Sequence, residues 1–254
     1  MRWLCFLLLA SPSQLAHAQS AGSPAPSPAL RFDLTALPVT RDSFVFRLRG
    51  EERGWAVWQY EVRPLEGTQQ IVYSASSEFR PIEVERLRIV LDRQSGEPIS
   101  TFHHIDLYSP QSDTVMLEHD LEVKRGEVTG RRRVGTRRGD VKIIPVSRPF
   151  APGTVLSDYV FLAGAVTNVG PGDSLGIPAY KEFADSLVTL SFVAEAPTTV
   201  QVPAGRFDVL PLRSGAFRIY ATRTGTRRVV KGETLDGVFS FELVHSGAVV
   251  PGSE

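Results

Sequence analysis

The chain has 254 residues, of which 42% are hydrophobic and 22% are charged, and its formal net charge is zero. This composition is typical of a globular protein with one sizeable β domain or two small domains. A neutral chain has no global field that favours nucleic acid, and the sequence has no phosphate-binding G-x-x-x-x-G-K loop and no dinucleotide fingerprint. We therefore expect no nucleic-acid partner and no cofactor.

The first eighteen residues predict an export signal. Arg2 is followed by an apolar run over residues 3–10 and by an A-x-A cleavage site at residues 16–18. The apolar run is shorter than the about 20 residues that a membrane helix needs. Cleavage after Ala18 would remove Cys5, the only cysteine. We therefore expect a soluble periplasmic or extracellular protein without a transmembrane segment after signal removal.

Four regions are predicted along the chain. Residues 1–18 form the signal peptide, and residues 19–40 form a flexible lead-in whose first part is rich in Ser, Pro and Ala. Residues 41–245 form one domain, and residues 246–254 form a flexible tail. Within the domain, apolar and polar residues alternate, as in "VERLRIVL" (84–91), and turn residues recur about every ten positions. This pattern predicts a mainly β fold, an antiparallel meander with one dry face.

Residues 152–170 interrupt the alternation. Apolar side chains recur there at helical spacing between Val155 and Val166, with Ser157 or Asp158 near the start and Gly170-Pro171 as the stop. The segment predicts one short apolar helix that packs on the concave, dry face of the sheet.

The order of four stretches resembles the bacterial exported domain-of-unknown-function family 3108. The stretches are "LDRQSGEPIS" (91–100), "LEVKRGEVTG" (121–130), "VTNVGPGDSLGIPAYKE" (166–182) and "TTVQVPAGRFDVLPLRSG" (198–215). The resemblance implies a curved antiparallel meander, an incomplete β-barrel, similar in shape to envelope lipoprotein carriers. The family has no established catalytic residues, so none is carried over to this chain.

Ser174 lies in two esterase-like frames, G-x-S-x-G and G-D-S-L. A nucleophile elbow needs a strand before the serine and a helix directly after it, whereas here the predicted helix precedes it and Ile177-Pro178 follows. The sequence also contains no D-x-x-H motif. We therefore interpret residues 170–176 as a turn in which Gly172 and Gly176 adopt unusual dihedral angles, and we predict no catalytic residue.

Two histidines are expected to lie side by side. A hairpin that turns around Gln111 would pair Ile105 with Leu117 and place His103 opposite His119 on the apolar face. They could act as a metal pair or as a polar handle inside a pocket. The favoured interpretation is that they satisfy each other or a backbone carbonyl, because a metal usually needs three or four ligands and no third is evident. No metal is therefore predicted.

An arginine-rich segment over residues 131–142 is the candidate anion contact. It could hold phosphate or an anionic lipid head group. The favoured interpretation is that it keeps an exposed hairpin soluble and prevents edge pairing. The candidate residues are Arg131, Arg132, Arg133, Arg137 and Arg138.

The expected function is that of a non-enzymatic binding or carrier protein of the cell envelope for an apolar ligand, a lipid or an acyl chain. One short helix cannot cover a whole concave face, so a cavity is expected to remain. The candidate lining residues are Trp58, Tyr60, Leu87, Ile89, Ile105, Leu117, Tyr159 and Val160. For the aromatic residues Trp58 and Tyr60 the favoured interpretation is that they belong to a plain core, because large aromatic side chains dominate ordinary cores. The alternatives are a structural or interaction module that contacts another envelope protein and, last, a serine esterase that uses Ser174.

Overall fold

The computed structural model describes residues 34–65, 68–108 and 113–249, and this part of the chain forms one sheet and one short α-helix. Two 3-10 helices cover Leu34–Ala36 and Ser157–Tyr159, and the α-helix, α1, covers Val160–Val166. The strands are β1 (Thr40–Leu48), β2 (Glu51–Leu65), β3 (Thr68–Phe79), β4 (Glu83–Asp92), β5 (Pro98–Leu107), β6 (Val115–Lys124), β7 (Glu127–Thr136), β8 (Val141–Pro149), β9 (Val155–Leu156), β10 (Ser174–Lys181), β11 (Ser186–Ala194), β12 (Thr198–Val202), β13 (Gly205–Ser214), β14 (Phe217–Thr222), β15 (Val229–Thr234) and β16 (Phe239–Ala248).

The sheet is a largely antiparallel meander that does not close on itself. Its order is β8-β7-β6-β5-β4-β3-β2-β1-β16-β15-β14-β13-β11-β10-β9, with β12 paired to β13 beside this path. Only the short pairing of β9 with β10 is parallel among the described strand pairs. The predicted fold class, a mainly β antiparallel meander with one short helix, is confirmed.

Period-two alternation explains why these segments form strands and why one face is buried. In β4, Leu87 and Ile89 are buried, whereas Arg86 and Arg88, which alternate with them, are exposed. Successive side chains of a strand point to opposite faces, so the buried set of each strand points into a common interior.

Large aromatic side chains fill the interior beside α1. The Trp58 ring lies 4.4 Å from Phe44, 5.3 Å from Phe241 and 5.6 Å from Phe161, measured between ring centroids. Phe161 belongs to α1, and Phe217 lies 5.7 Å from it. The helix therefore packs its apolar face into the interior of the sheet, as predicted.

The helix is shorter than the predicted segment, 152–170. Residues 155–159 form β9 and a 3-10 turn, and the backbone is extended at Thr167, whose hydroxyl donates to the Ala163 carbonyl at 2.5 Å. Arg223 donates to the Thr167 carbonyl at 2.7 Å. The cationic side chain satisfies a carbonyl at the helix C-terminus, so α1 ends before the expected stop at Gly170-Pro171.

The ordered domain begins earlier and ends later than the sequence predicts. Leu34, in the expected lead-in of residues 19–40, is buried in the core, and β16 continues to Ala248 inside the expected tail of residues 246–254. The predicted signal peptide lies outside the described residues. Among the described helices, none is long and apolar enough to cross a bilayer.

Candidate functional site

The candidate site is built on the inner face of β5 and β6, where the predicted register is confirmed. Ile105 pairs with Leu117, and His103 pairs with His119. Both imidazoles are almost completely buried. Their ring centroids lie 5.6 Å apart, and the rings are nearly perpendicular. The hairpin therefore places two histidines side by side in the interior.

Asp158 joins the two histidines. Its Oδ2 atom lies 2.9 Å from Nδ1 of His103 and 3.2 Å from Nε2 of His119. Asp158 comes from the 3-10 turn before α1 and has a fully buried side chain. The expectation that the histidines satisfy each other or a backbone carbonyl is therefore wrong, because they share a carboxylate. Sequence analysis missed this residue, which lies 55 positions beyond His103.

Neighbouring polar groups hold this His–His–Asp cluster, which we define as His103, His119 and Asp158. Oε1 of Glu85 lies 2.6 Å from Nε2 of His103, and the Ser77 hydroxyl donates to the other Glu85 oxygen at 3.0 Å. The side chain of Glu85 is 28% exposed, in contrast to the buried cluster. Glu85 is thus the member of the network that reaches toward solvent.

The carboxyl group of Glu182 holds the turn that contains Asp158. The Ser157 hydroxyl donates to Oε2 of Glu182 at 2.5 Å, and the Asp158 N–H donates to Oε1 at 3.4 Å. The ring of Phe183, the next residue, lies 5.1 Å from the His103 ring and 4.7 Å from the His119 ring. The turn between β10 and β11 therefore covers the cluster.

The electrostatics of the cluster follow from burial and from the shared carboxylate. Burial opposes ionisation of Asp158, but the charge and hydrogen bond of His103 hold the pKa of its carboxyl below the usual value. Burial also opposes charge on His103, yet Asp158 and Glu85 raise its pKa well above the usual value. Burial lowers the pKa of His119. The shared carboxylate therefore shifts the two imidazoles unequally: the pKa of His103 lies above the usual value and that of His119 below it.

Glu182 behaves oppositely to Asp158. Burial and the nearby Asp158 carboxylate raise its pKa well above that of an ordinary glutamate. Two buried carboxyl groups close together do not both ionise easily, so the pKa of Glu182 rises where that of Asp158 falls.

Arg132 contacts the β10–β11 turn that covers the cluster, and it does not belong to a free basic patch. Its guanidinium donates to the Phe183 carbonyl at 2.7 Å. Arg148 donates to Asp185 at 3.0 Å, and the Tyr180 hydroxyl donates to the same carboxylate at 2.8 Å. Arg132 and Arg148 therefore attach the β10–β11 turn to β7 and β8, and they join the two ends of the open sheet through side chains.

The other arginines of the predicted anion contact face acidic groups of the same chain. Arg131 lies 3.5 Å from Asp120, Arg133 lies 3.1 Å from Glu118, and Arg137 lies 2.9 Å from Asp106. For Arg138, the backbone N–H donates to Asp113 at 2.9 Å. The positive charge of the segment is therefore largely balanced locally.

The predicted lining residues divide into two groups. Trp58 is enclosed by other aromatic rings, and five further candidates are buried, whereas Leu117 and Val160 are half-buried. Leu117 pairs with Val134 of β7, which is 36% exposed. The inner face is thus filled beside α1 and partly open at β6 and β7. The five buried candidates are Tyr60, Leu87, Ile89, Ile105 and Tyr159.

Ser174 is an exposed residue at the start of β10, where it pairs with Val193 of β11. The turn expected at residues 170–176 is therefore shorter, because Ser174 and Gly176 already belong to the strand. Gly172 adopts a φ of +86°, as expected, but Gly176 is not among the residues with positive φ. A strand, and not the helix of a nucleophile elbow, follows the serine.

These features define an open, barrel-like antiparallel β protein with a buried His–His–Asp cluster where the segment before α1 meets β5 and β6. The chain is similar to the crystal structure of a beta-barrel-like protein of the domain of unknown function DUF1849 from Brucella abortus, with 12% identity and a TM-score of 0.50. The similarity covers 84% of this chain and 99% of that chain. At this identity the likeness shows the fold alone.

The resemblance to family 3108 is corrected by these comparisons. No protein-family model matches the sequence, and no curated protein matches it. The structural similarity is to a DUF1849 protein. The stretch at residues 198–215 contains the β12–β13 hairpin, and a short motif of this kind is not specific to one family.

Proposed function

We propose that this chain is a non-enzymatic binding protein that holds the apolar part of a lipid or acyl ligand on the inner face of its sheet. The supporting observation is the partly open apolar strip formed by Leu107, Val115, Leu117 and Val134. These side chains lie on the same face as the buried His103 and His119, because they are separated from them by even numbers of residues along paired strands.

The proposal places the ligand at one end of the interior and not along the whole concave face. The rings around Trp58 contact one another at centroid distances of 4.4–6.1 Å, which is close packing for aromatic pairs. The half-exposed pair Leu117 and Val134 lies at the other end. An apolar chain that covers this pair would gain roughly 25 cal/mol for each Å² that it removes from water.

A polar group stands beside the strip. Glu85 pairs with Ile105 across β4 and β5, and Ile105 pairs with Leu117. The partly exposed Glu85 carboxylate is therefore a candidate contact for a hydroxyl, amide or ammonium group of the ligand. Small-molecule sites commonly combine an apolar wall with a few polar groups that fix orientation. The predicted signal at residues 1–18 would deliver such a protein to the cell envelope.

The first experiment is native mass spectrometry of the exported chain, followed by solvent extraction and titration with a fluorescent long-chain fatty acid. Leu117→Gln should weaken binding of the probe by about tenfold or more, equivalent to roughly 1.4 kcal/mol. Met116→Gln is the matched control, because Met116 is also half-buried but points to the opposite face. Equal affinity in both variants, or no binding by the parent, would refute the proposal.

A second candidate function, an interaction module, has one specific observation in its favour. Strand β8 ends the sheet order, and Val141 and Ile143 on it are 43% and 59% exposed. An edge strand with exposed apolar side chains favours pairing with another chain. Crosslinking of the exported protein in its cell envelope distinguishes the two functions, because Ile143→Lys should abolish an edge partner and leave fatty-acid binding unchanged.

A further inference from the structure

We propose that His103, His119 and Asp158 bind a divalent first-row transition-metal ion, with Zn²⁺ the best fit. The three side chains come from β5, β6 and the turn before α1. This site does not depend on the proposed lipid or acyl ligand, although Glu85 borders both the cluster and the apolar strip. It goes beyond the predicted function, which includes no metal.

The distances fit a metal centre. One ligand atom from each residue can be chosen so that all three lie within 4.8 Å of one another. Adjacent ligands in a tetrahedral zinc site with bonds of about 2.0–2.1 Å lie about 3.3 Å apart. Oδ2 of Asp158 lies 2.9 Å from His103 Nδ1 and 3.2 Å from His119 Nε2, so a small outward shift of the carboxylate creates room for the ion.

Glu85 orients the imidazole of His103 in the way that a hydrogen-bond partner usually orients a metal-bound histidine. Its carboxylate lies 2.6 Å from Nε2 of His103, the nitrogen that faces away from Asp158. An Nε2–H that donates to Glu85 leaves the lone pair of Nδ1 for the metal. A carboxylate behind a ligating imidazole fixes its tautomer and increases its basicity. Ser77, which donates to Glu85 at 3.0 Å, holds that carboxylate in turn.

One buried atom supports a ligand at this place. Oδ1 of Asp158 has no hydrogen-bond partner, although the side chain is completely buried. A buried polar atom without a partner is costly. An ion pair between Asp158 and His103 through Oδ2 leaves this oxygen unsatisfied, whereas a metal ion on the cluster could bind it.

The donor set selects the class of metal. Two imidazoles and one carboxylate suit Zn²⁺, Cu²⁺, Ni²⁺ or Co²⁺, whereas Mg²⁺ and Ca²⁺ prefer oxygen ligands alone. Zn²⁺ accepts a tetrahedral N/O site without further demands on geometry. Because the cluster joins the sheet to the segment that leads into α1, the bound ion would also fasten this segment to β5 and β6.

The test begins with the metal content of the exported full chain, measured by inductively coupled plasma mass spectrometry. The chain is then treated with a chelator and titrated with Zn²⁺ against a competing chelator. We expect one Zn²⁺ per chain and a midpoint of thermal unfolding that rises until one equivalent is bound. Co²⁺ should give the intense visible bands of a tetrahedral site with nitrogen ligands.

Variants distinguish Zn²⁺ binding at the cluster from adventitious Zn²⁺ binding elsewhere on the chain. His119→Gln and Asp158→Asn should each weaken Zn²⁺ binding at least about 100-fold. Glu85→Gln should weaken it about 10- to 100-fold, as is usual when a metal-bound histidine loses its hydrogen-bond partner. His104→Gln is the matched control, because His104 is the adjacent histidine and lies 3.1 Å from Glu118 on the other face. It should retain full affinity.

Two outcomes would overturn the proposal. The first is that the parent chain binds Zn²⁺ no more tightly than Asp158→Asn, which would leave only an imidazolium between two carboxylates. The second is that His104→Gln loses as much affinity as His119→Gln. If a cluster variant does not fold, the parent's Co²⁺ spectrum decides, since an octahedral spectrum without nitrogen ligation contradicts the site and a tetrahedral one supports it.

Discussion

Gly232 provides a sharp test of how tightly the aromatic core is packed. It lies in β15 directly opposite Phe241 of β16. A Cβ atom at this position would lie 2.3 and 2.5 Å from two atoms of the Phe241 ring and 2.8 Å from the Phe217 ring. Both rings belong to the buried core and cannot move without displacing neighbours. Overpacking of this kind costs about 1–3 kcal/mol. For a domain of this size, we expect Gly232→Ala to lower the midpoint of thermal unfolding by roughly 2–12 °C.

Gly164→Ala is the matched control. Gly164 is also buried, but it lies in α1, and the nearest atoms to its added Cβ would be 3.4–3.7 Å away on Ile219 and Leu212. These are ordinary contact distances, and alanine is favoured over glycine in a helix by roughly 0.5–1 kcal/mol. The same substitution should therefore leave the midpoint unchanged or raise it slightly. Equal effects of the two substitutions in differential scanning calorimetry would refute the close packing inferred for the core.

Three further predictions concern other parts of the molecule. Phe161→Ala should lower the free energy of unfolding by about 3 kcal/mol in a urea titration, the low end for core phenylalanines because Phe161 is only half-buried, and a loss below about 1 kcal/mol would show that the α1 interface is loose. Asp185→Asn should cost about 1 kcal/mol, since the largely buried Arg132 and the exposed Arg148 both lose a charged partner; unchanged stability would contradict a closing role for the β10–β11 turn. Burial raises the pKa of Asp42, against the hydrogen bond of Ser246 and the charge of Arg228. The folded state then keeps a proton that the unfolded chain releases above about pH 4, so stability falls as pH rises through the folded pKa. Asp42→Asn removes this dependence, and its advantage in unfolding midpoint over the parent should grow between pH 4 and 7, whereas a constant difference would contradict the raised pKa.

The local parts of the fold could be predicted from the sequence because their determinants are local. Alternation in β4 indicates which side chains point inward, and the turn predicted around Gln111, a residue outside the described part of the chain, predicts the register of β5 and β6. That register placed His103 opposite His119, as the structure confirms. The two-residue period of a strand and the position of the turn determine the buried face and the register, and neither depends on strands far away in the sequence.

The third member of the cluster could not be found in this way. Asp158 follows an apolar stretch, and its sequence context is that of a helix start. Its position against His103 depends on how the sheet curves and on the turn that contains Glu182 and Phe183. Contacts between elements so far apart in sequence are set by tertiary packing. The early end of α1 has the same origin, because Arg223 of the β14–β15 connection binds the Thr167 carbonyl.

The location of the cluster explains why a buried polar group belongs in this fold. The two ends of the sheet are not joined by strand pairing, so side chains must hold the β10–β11 turn and the α1 segment against β5–β8. Arg132 does this through the Phe183 carbonyl, and Asp158 does it through both histidines. Buried charge pairs contribute little net stability compared with apolar packing, but removal of one partner leaves an uncompensated charge. Directional polar contacts therefore determine how the β10–β11 turn and the α1 segment sit against β5–β8. A metal ion on His103, His119 and Asp158 would add further directional bonds at this place, where no strand pairing joins the two ends of the sheet.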